Sequence, residues 1–386
     1  MKTSKKALSL FLSVLMILTV FLFSAISANA ATYVTYGDYK CEVVSEGVVY
    51  IAQYLGAETQ LELPKNFGVT KVIGISKGAF ENSEITSIVI PEGYTSIGNS
   101  AFYNANNITS ISLPSSITEI GASAFAYMDN LSDLDISKAT SLTSISNYML
   151  QGCPLIKSFV VPDFITTVEN NAFRTSGLES VSFENPNTTV GSYTFYGCTN
   201  LKNVTLPKNL KKIMSYTFYG CTSLTSVDIP AQIEIIDDRA FYECTSLDSI
   251  DLPASLTKLG ARVFYNDTHL TNIYVPDTVT SIGAQCFYPM DIQKTLTVDC
   301  VENSYAATYC ENNLVEYKTY VFGDFNNDGT VNVRDVTALQ EYMVSTYSGT
   351  VTDVQLKIAD VTRDNKINVR DVSRIQEFNV NAIDKL

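Results

Sequence analysis

Large apolar residues recur along most of the chain at a nearly constant interval of 22 to 25 residues. These anchors are Phe80, Phe102, Phe125, Leu150, Phe173, Phe195, Phe218, Phe241, Phe264 and Phe287. A fixed period of this length is typical of a solenoid, because one short unit cannot bury its own apolar face and must stack on its neighbours. The pattern therefore predicts a repeat array at residues 75–290.

Each unit contains a short stretch in which apolar and polar residues alternate. In "FYGCTSLTSVDIP", Val227 and Ile229 alternate with Ser226 and Asp228, as in a half-buried strand. Pro230 lacks an amide donor and ends the strand. An Ile and a Gly bend then precede the next anchor, for example in "TEIGASAF". We therefore expect a mainly β solenoid of ten units, with one turn of chain per unit.

Both ends of the array carry predicted caps. Residues 31–74 contain "YKCEVVSEGVVYIAQY", which predicts two alternating strands around a Glu-Gly turn. Residues 291–320 contain "NSYAATYCENN", which predicts a short helix that begins after an Asn cap. The 25-residue step before Leu150 predicts a bulged loop at "SKATSL" and not a domain boundary.

The first 30 residues have the pattern of an export signal. Lys2, Lys5 and Lys6 precede an apolar run over 7–23 and a small-residue exit at 28–30. The alternative is an uncleaved membrane anchor. Cleavage predicts a secreted, extracellular protein with no remaining membrane span. The net charge of −14 argues against nucleic acid and anionic lipid as partners.

Eight cysteines in an exported chain raise the question of disulfides. Four of them occupy one repeat position, three residues after an anchor, where a small buried residue suits the core; these are Cys153, Cys198, Cys221 and Cys244. We interpret them as a core ladder. Cys300 and Cys310 are the best candidate pair for a bridge, and the sequence leaves their state open.

Candidate catalytic residues are scarce. The chain has one histidine, His269, in the loop "YNDTHLTNI", whereas nucleophilic and general-base catalysis most often use histidine. A carboxylate pair of the glycosidase type stays open by count. Four strand carboxylates nevertheless fall at regular outward positions typical of a solvated face: Asp133, Asp135, Asp228 and Asp251. We predict that the protein is not an enzyme.

Two surfaces of the array are candidate binding sites for a protein or polysaccharide. The first is a strip of five tyrosines directly after consecutive anchors: Tyr196, Tyr219, Tyr242, Tyr265 and Tyr288. The alternative, which weighs more, is that these tyrosines shield the edge of the core or fill the space between turns. The second is the outward strand face, formed by Ser110, Ser112, Ser180, Ser182, Asn203, Thr205, Ser226, Asp228, Ser249, Asp251, Asn272 and Tyr274.

Two twelve-residue loops, "DFNNDGTVNVRD" and "DVTRDNKINVRD", carry oxygen ligands at positions 1, 3, 5, 7, 9 and 12, the arrangement that surrounds a calcium ion. The first loop offers Asp324, Asn326, Asp328, the Thr330 carbonyl, Asn332 and Asp335. The second offers Asp360, Thr362, Asp364, the Lys366 carbonyl, Asn368 and Asp371. The neutral Thr362 and the replacement of the bend glycine by Asn365 predict weaker binding in the second loop. The loops therefore predict two calcium ions.

An amphipathic helix follows each loop, with one apolar face at Val336, Leu339 and Tyr342 and the other at Val372, Ile375 and Phe378. The segment "EYKTYVFG" before the first loop predicts a strand, whereas a calcium sensor would have a helix there. The module is small, so bound metal is expected to drive its folding.

The repeats "AFYNANNITSISLPSSITEIG" and "TFYGCTSLTSVDIPAQIEII" resemble the BspA-type leucine-rich repeat over about residues 31–320. Leu150 replaces the usual Phe, and Thr194, Thr217 and Val263 replace the usual Ala. This resemblance implies a secreted or surface-attached protein of adhesion and recognition.

Residues 321–386 resemble the type I dockerin, a small all-α, EF-hand-like pair of loop–helix units that binds cohesin domains of cellulosome scaffoldins. The resemblance places cohesin recognition on Val333, Arg334, Gln340 and Glu341, and in the second copy on Val369, Arg370, Gln376 and Glu377. Because the two sets match, it also implies two docking orientations.

Together the two resemblances imply a cohesin-anchored, non-catalytic adhesion protein in a polysaccharide-degrading complex. An inhibitor or regulator of neighbouring enzymes, and a cryptic polysaccharide-degrading enzyme, are the alternatives.

Overall fold

The structure is a computed structural model that describes residues 31–288, 296–381, 383, 385 and 386. The predicted export signal lies outside these residues. In chain order the strands are β1 (Tyr33–Tyr36), β2 (Tyr39–Ser45), β3 (Val48–Tyr54), β4 (Gln60–Glu62), β5 (Asn66–Phe67), β6 (Thr70–Ile75), β7 (Ser87–Val89), β8 (Ser96–Ile97), β9 (Ser110–Ser112), β10 (Glu119–Ile120), β11 (Asp133–Asp135), β12 (Ser144–Ile145), β13 (Ser158–Val161), β14 (Thr167–Val168), β15 (Ser180–Phe183), β16 (Thr189–Val190), β17 (Asn203–Thr205), β18 (Lys212–Ile213), β19 (Ile235–Ile236), β20 (Lys258–Leu259), β21 (Asn272–Val275), β22 (Ser281–Ile282), β23 (Thr297–Val301) and β24 (Tyr317–Tyr320). The described helices are α1 (Tyr305–Asn313), α2 (Val333–Met343), α3 (Asp353–Ala359) and α4 (Val369–Asn379).

The strands form two rows that run the length of a solenoid. In one row the strands of three to five residues pair in parallel, as β4–β7, β9–β11, β13–β15–β17 and β21–β23–β24. In the other, mostly two-residue strands pair in parallel, as β6–β8–β10, β12–β14–β16 and β18–β19–β20–β22. Successive units therefore stack in register, and the mainly β solenoid is confirmed.

The anchor phenylalanines form the spine of the core. Phe195 and Phe218 stack at 5.5 Å between ring centroids, and Phe218 and Phe241 stack at 5.2 Å. All nine anchor phenylalanines are buried. Burying a side chain of this size contributes about 1.5–3 kcal/mol, so the repeated anchor is a major source of the array's stability.

Two successive units depart from the expected strand, at Ser226–Asp228 and at Ser249–Asp251. Ser226 and Asp228 are exposed and Val227 is buried, as the alternation predicts. The strands are nevertheless missing, because a single backbone bond joins the two stretches at the strand position, from the Asp248 amide to the Thr225 carbonyl at 2.9 Å. One bond does not make the repeated ladder that defines a strand.

The 25-residue step interrupts both rows of strands, but the units on either side of it stay stacked, with the Phe125 amide donating to the Met149 carbonyl at 3.2 Å. β11 and β13 belong to separate sheets, and so do β10 and β12 on the other row. Turns at residues 137–138 and 140–141 connect β11 to β12. The two extra residues are therefore absorbed as a bulged loop, as expected.

The ends of the array extend the stack beyond the ten predicted units, to about 12 turns. At the first end β2 and β3 form an antiparallel hairpin, and β3 then pairs in parallel with β6. At the other end α1 begins after Ser304, whose side chain accepts a bond from the Ala307 amide. The helix cap is therefore Ser304 and not the Asn expected from the sequence; Asn303 takes a left-handed φ of 61° instead.

All eight cysteines are buried and free. The thiol of Cys198 donates to the Phe173 carbonyl at 3.0 Å, and that of Cys221 donates to the Phe195 carbonyl at 3.2 Å. Cys153 and Cys244 make the equivalent bond. The ladder therefore joins neighbouring units, and Cys300 and Cys310 are not bridged.

The C-terminal module has its own small core. Phe325, Leu339 and Ile375 are fully buried together with Val336 and Val372. The strand β24 leads into the first loop, as expected, and α2 packs against α4. The helix α3 between the two loop–helix units was not predicted.

Candidate cation sites and docking faces

The first loop folds around two buried carboxylates. Asp324 accepts from the amides of Asp328 at 3.1 Å and Gly329 at 2.7 Å. Asp335 accepts from the amides of Asn326 at 3.1 Å and Asn332 at 2.8 Å. Positions 1 and 12 of the loop are thereby held facing its interior. Gly329 takes a φ of 87° at the sharp bend, which favours glycine.

The second loop repeats this geometry. Asp360 accepts from the amides of Asp364 at 3.1 Å and Asn365 at 2.7 Å. Asp371 accepts from the amides of Thr362 at 3.1 Å and Asn368 at 2.9 Å. Asn365 replaces glycine at the bend with a φ of 61°, a conformation that asparagine adopts more readily than most residues.

The donor set of the second loop suits a hard cation. Oxygen atoms of Asp360, Asp364 and Asp371 lie within 4.8 Å of one another. Burial raises the pKa of Asp360, and the neighbouring Asp371 carboxylate raises it further. Burial likewise raises the pKa of Asp335 in the first loop, where Asp324 contributes as well. A divalent cation would relieve this repulsion, so the residues fit such an ion.

The two loops differ at position 3. Asn326 in the first loop offers an amide oxygen, whereas Thr362 offers a hydroxyl that already donates to Asp371 at 2.8 Å. This difference supports the expectation that the second loop binds calcium more weakly, which stays a prediction.

The helix after each loop starts with the same cap and presents the same exposed residues. Asn332 and Asn368 each form a capping box with the Asp at loop position 12. Val333 is 67% exposed and Val369 is 69% exposed. The other residues of the two expected docking faces are also exposed: Arg334, Gln340 and Glu341 in one, and Arg370, Gln376 and Glu377 in the other. The structure therefore presents two matching faces.

The five tyrosines of the predicted strip stack on one another. Tyr219 lies 4.6 Å from Tyr196 and 4.6 Å from Tyr242 between ring centroids, with nearly parallel planes. Tyr242 and Tyr265 lie 4.8 Å apart, and Tyr265 and Tyr288 lie 5.8 Å apart. Neighbouring rings cover the ring faces, so a ligand would meet ring edges and hydroxyls.

The outward strand face is exposed along most of the array, apart from the half-buried Ser180 and Ser182 and from Tyr274. Ser110, Asn203, Asp228 and Ser249 are exposed. Tyr274 is instead buried, because Ile358 and Lys357 of the C-terminal module cover it. The prediction that Tyr274 faces outward as part of a free surface is therefore wrong.

His269 and the four strand carboxylates lie at several separate places along the array. The His269 ring is exposed and contacts the Thr245 carbonyl of the preceding unit. Asp133 and Asp135 lie on β11, whereas Asp228 and Asp251 lie about four and five units further along the array.

Sequence reasoning missed the contact between the two modules. Lys357 Nζ lies 2.6 Å from Asp251 Oδ1, and Arg363 Nη2 lies 2.6 Å from Asp277 Oδ2. Helix α3, which carries Lys357, is marked by a Thr352–Gln355 capping box that was visible in the sequence. The array residues Asp251 and Asp277, which form these ion pairs, have no comparable signal in the sequence.

Comparison with protein families gives two matches. The model of the BspA type leucine rich repeat region matches residues 73–202 and 166–294, and the model of the dockerin type I domain matches residues 322–378. No curated protein matches the chain. No helix in the described part of the chain has the length and apolar character needed to cross a membrane.

Solved bacterial leucine-rich repeat proteins resemble the chain. One from Bacteroides ovatus ATCC 8483 has a TM-score of 0.55 and 23% identity, covering 77% of this chain and 68% of its own. The pneumococcal vaccine antigen PcpA has a TM-score of 0.48 and 16% identity, covering 76% and 99% respectively. The first of these likenesses shows the fold. The repeat-region matches span more than half of the residues, and the chain therefore belongs to the BspA-type leucine-rich repeat family and carries a C-terminal type I dockerin domain.

Proposed function

We propose that this is a secreted, non-catalytic binding protein, which its dockerin anchors to a cohesin domain of a scaffoldin in a polysaccharide-degrading complex. The observation that carries the proposal is the pair of matching exposed faces, Val333–Arg334 and Val369–Arg370, each set directly after a carboxylate loop. Duplicated faces suit a connector that docks in either of two orientations.

Calcium is the cation that the loops would hold, with one ion in each. Carboxylate, amide and main-chain oxygens are the ligands that calcium prefers. When bound, the ion would neutralise the buried carboxylates and fix the start of each docking helix. The role of this chain's own residues is to position those oxygens and to present the exposed helix face beside them.

The array would supply recognition of a protein or polysaccharide at the surface to which the complex is attached. Its outward strand face is small, polar and exposed over many units, which suits many weak hydrogen bonds to an extended partner. Repeat solenoids and dockerins are non-catalytic module types, which supports a binding role over an enzymatic one.

To test this, a protein of residues 31–386 is bound to immobilised cohesin in the presence of calcium. The complex is then exposed to plant polysaccharides and secreted proteins. We expect capture on cohesin in calcium, release by chelator, and retention of a polysaccharide or protein by the array. Absence of cohesin binding in calcium would reject the anchor. Release of reducing sugar from a polysaccharide would instead favour an enzyme, and inhibition of a purified glycosidase or protease would favour a regulator.

A further inference from the structure

The dockerin and the last repeats share one small apolar core. Ile358 of α3 is fully buried, and it packs with Tyr274 of β21 and Val301 of β23, which are only 7% and 8% exposed. Tyr320 and Phe322 of the connecting segment border the same cluster. Separation of the modules would expose these side chains to water, so burial favours the packed arrangement.

Two ion pairs flank this core. Lys357 Nζ lies 2.6 Å from Asp251 Oδ1, and its ammonium lies 5.5 Å from the Tyr274 ring centroid. Arg363 Nη2 lies 2.6 Å from Asp277 Oδ2. Each exposed pair contributes little to stability by itself. Two separate pairs beside an apolar contact nevertheless fix the register in which two surfaces meet.

The two calcium loops are unequal with respect to this surface. Arg363 lies in the second loop between Thr362 and Asp364, which are expected ligands, and Asn365 of the same loop lines a cavity of about 370 Å³ between the modules. The first loop has Asn327 at the position of Arg363. The first loop borders the array through Val331, which lines a second cavity with Asp277 and Thr280. Of the two loops as described, the second is the one that forms an ion pair with the array.

We propose that this surface, which we call the seat, holds the dockerin in one fixed orientation on the array and is coupled to calcium in the second loop. The seat consists of Asp251, Tyr274 and Asp277 on the array, and of Lys357, Ile358 and Arg363 on the dockerin. Coupling is reciprocal: if an ordered loop strengthens the seat, the seat strengthens calcium binding by the same factor. The array would thereby compensate for the weaker ligands of the second loop.

The seat leaves the docking faces open. Val333 and Val369 are 67% and 69% exposed in the seated arrangement. A cohesin would therefore meet a dockerin whose array points in a defined direction, and calcium would control that direction as well as docking. The inference rests on the calcium sites proposed above and is independent of cohesin binding.

Calcium titration of residues 31–386 by calorimetry tests the coupling. The variant Asp251→Ala with Asp277→Ala removes both seat carboxylates and is compared with Asp163→Ala plus Asp228→Ala. These control residues hold the same two repeat positions in earlier units and are exposed. We expect the seat variant to weaken one of the two calcium sites by about fivefold or more, in the range of measured couplings, and the control to bind as the unmodified chain does. Equal calcium binding by the seat variant and the control would overturn the proposal.

The variant Arg363→Ala separates the effect of the contact with the array on calcium binding from the effect of the arginine charge itself. Removing a cation from a calcium loop should by itself tighten calcium binding, whereas loss of the seat should weaken it. We expect weaker binding and, by small-angle scattering in saturating calcium, a larger radius of gyration. Tighter binding with an unchanged radius would overturn the proposal. Cohesin capture in saturating calcium, measured on the same proteins, reports separately on the proposed function.

Discussion

The amide of Cys244 donates a 2.8 Å hydrogen bond to Oδ1 of Asp267, the residue that replaces cysteine in the next unit of the buried ladder. Oδ2 of Asp267 is buried without a hydrogen-bond partner. In the preceding units the thiol at this position donates to a phenylalanine carbonyl, as Cys244 does to Phe218 at 3.1 Å. An ionised carboxylate has no proton to donate, so Asp267 fits the ladder best in its neutral form.

Burial raises the pKa of Asp267 well above its ordinary value of 3.8. A carboxyl group with a raised pKa in the folded state contributes stability that is complete below its ordinary pKa and is lost as pH rises through the raised one. We therefore expect Asp267→Cys to raise the melting temperature, and to raise it more at pH 8 than at pH 4. The gain at pH 8 should be about 1–3 kcal/mol, the cost of one unsatisfied buried polar group.

Thermal unfolding followed by circular dichroism between pH 4 and pH 8 measures this difference. The exposed Asp228→Ala variant is the control, and its pH dependence should follow that of the unmodified chain. A gain from Asp267→Cys that is the same at every pH would show that the carboxyl group is not the titrating cause.

Glu243 occupies a left-handed position at which three earlier units have glycine. Its φ is 59°, and the corresponding Gly152, Gly197 and Gly220 have φ values of 68°, 67° and 68°. A side chain costs about 1–2 kcal/mol in this conformation, whereas glycine tolerates it. We expect Glu243→Gly to stabilise the array by about 0.5–1 kcal/mol. The gain is smaller than the relieved strain because the greater conformational entropy of glycine in the unfolded chain offsets part of it. The urea midpoint measures the change, and Glu243→Ala, which keeps a Cβ atom, should not reproduce it.

Local patterns in the sequence were sufficient to predict the stacking of the units, the row of anchor phenylalanines, the cysteine ladder and the two loops. Each depends on residues at a fixed spacing, so one unit predicts the next. The left-handed positions escaped prediction because Tyr193, Arg239 and Gln285 hold them, and these residue types have no preference for positive φ. The row of strands was predicted wrongly at Ser226–Asp228 and at Ser249–Asp251, where apolar and polar residues alternate but the repeated backbone pairing is missing.

The seat could not be predicted for a different reason. Asp251 and Lys357 are 106 residues apart in the chain, and neither has a local sequence signal for the other. Tyr274 has the spacing of an outward strand residue, and only the position of the dockerin buries it. Contacts between modules depend on tertiary packing, which a repeat pattern does not encode.

Removal of calcium should abolish capture by cohesin. Asp324 and Asp360 each hold two loop amides, so we expect Asp324→Ala with Asp360→Ala to prevent cation binding and ordering of the docking helices. Surface plasmon resonance on immobilised cohesin, with calcium and with chelator, measures the loss. Calcium added back after chelation should restore binding to the unmodified chain and not to the double variant. Binding that persists in chelator would contradict this role of the loops.

If the two docking faces are equivalent, the protein should still bind cohesin after the loss of either one. Val333→Ala with Arg334→Ala should lower cohesin affinity by about twofold, the statistical loss of one of two orientations, which equals about 0.4 kcal/mol. Val369→Ala with Arg370→Ala should do the same, and all four changes together should abolish binding. Complete loss from one pair alone would reject the dual orientation and show that the chain docks through that face.

The tyrosine strip contributes to stability whether or not it binds a ligand. Tyr219 stacks on Tyr196 and Tyr242 at 4.6 Å each, and aromatic pairs contribute about 0.5–1.5 kcal/mol each beyond burial. Tyr219→Ala should therefore destabilise the array by about 1–3 kcal/mol. The sequence alone predicted no such cost, because it did not show that the ring faces stack on one another.

A binding role for the strip needs a variant that preserves the stack. Tyr219→Phe with Tyr242→Phe keeps the rings and removes the hydroxyls, which with the ring edges are the parts that a ligand would meet. Burial raises the pKa of Tyr219 to about 12, so its hydroxyl is a neutral donor at physiological pH. If the strip binds a ligand through its hydroxyls, the double Phe variant should lose ligand capture at an unchanged melting temperature. Unchanged capture by this variant, with a lower melting temperature for Tyr219→Ala, would assign the ladder a purely structural role.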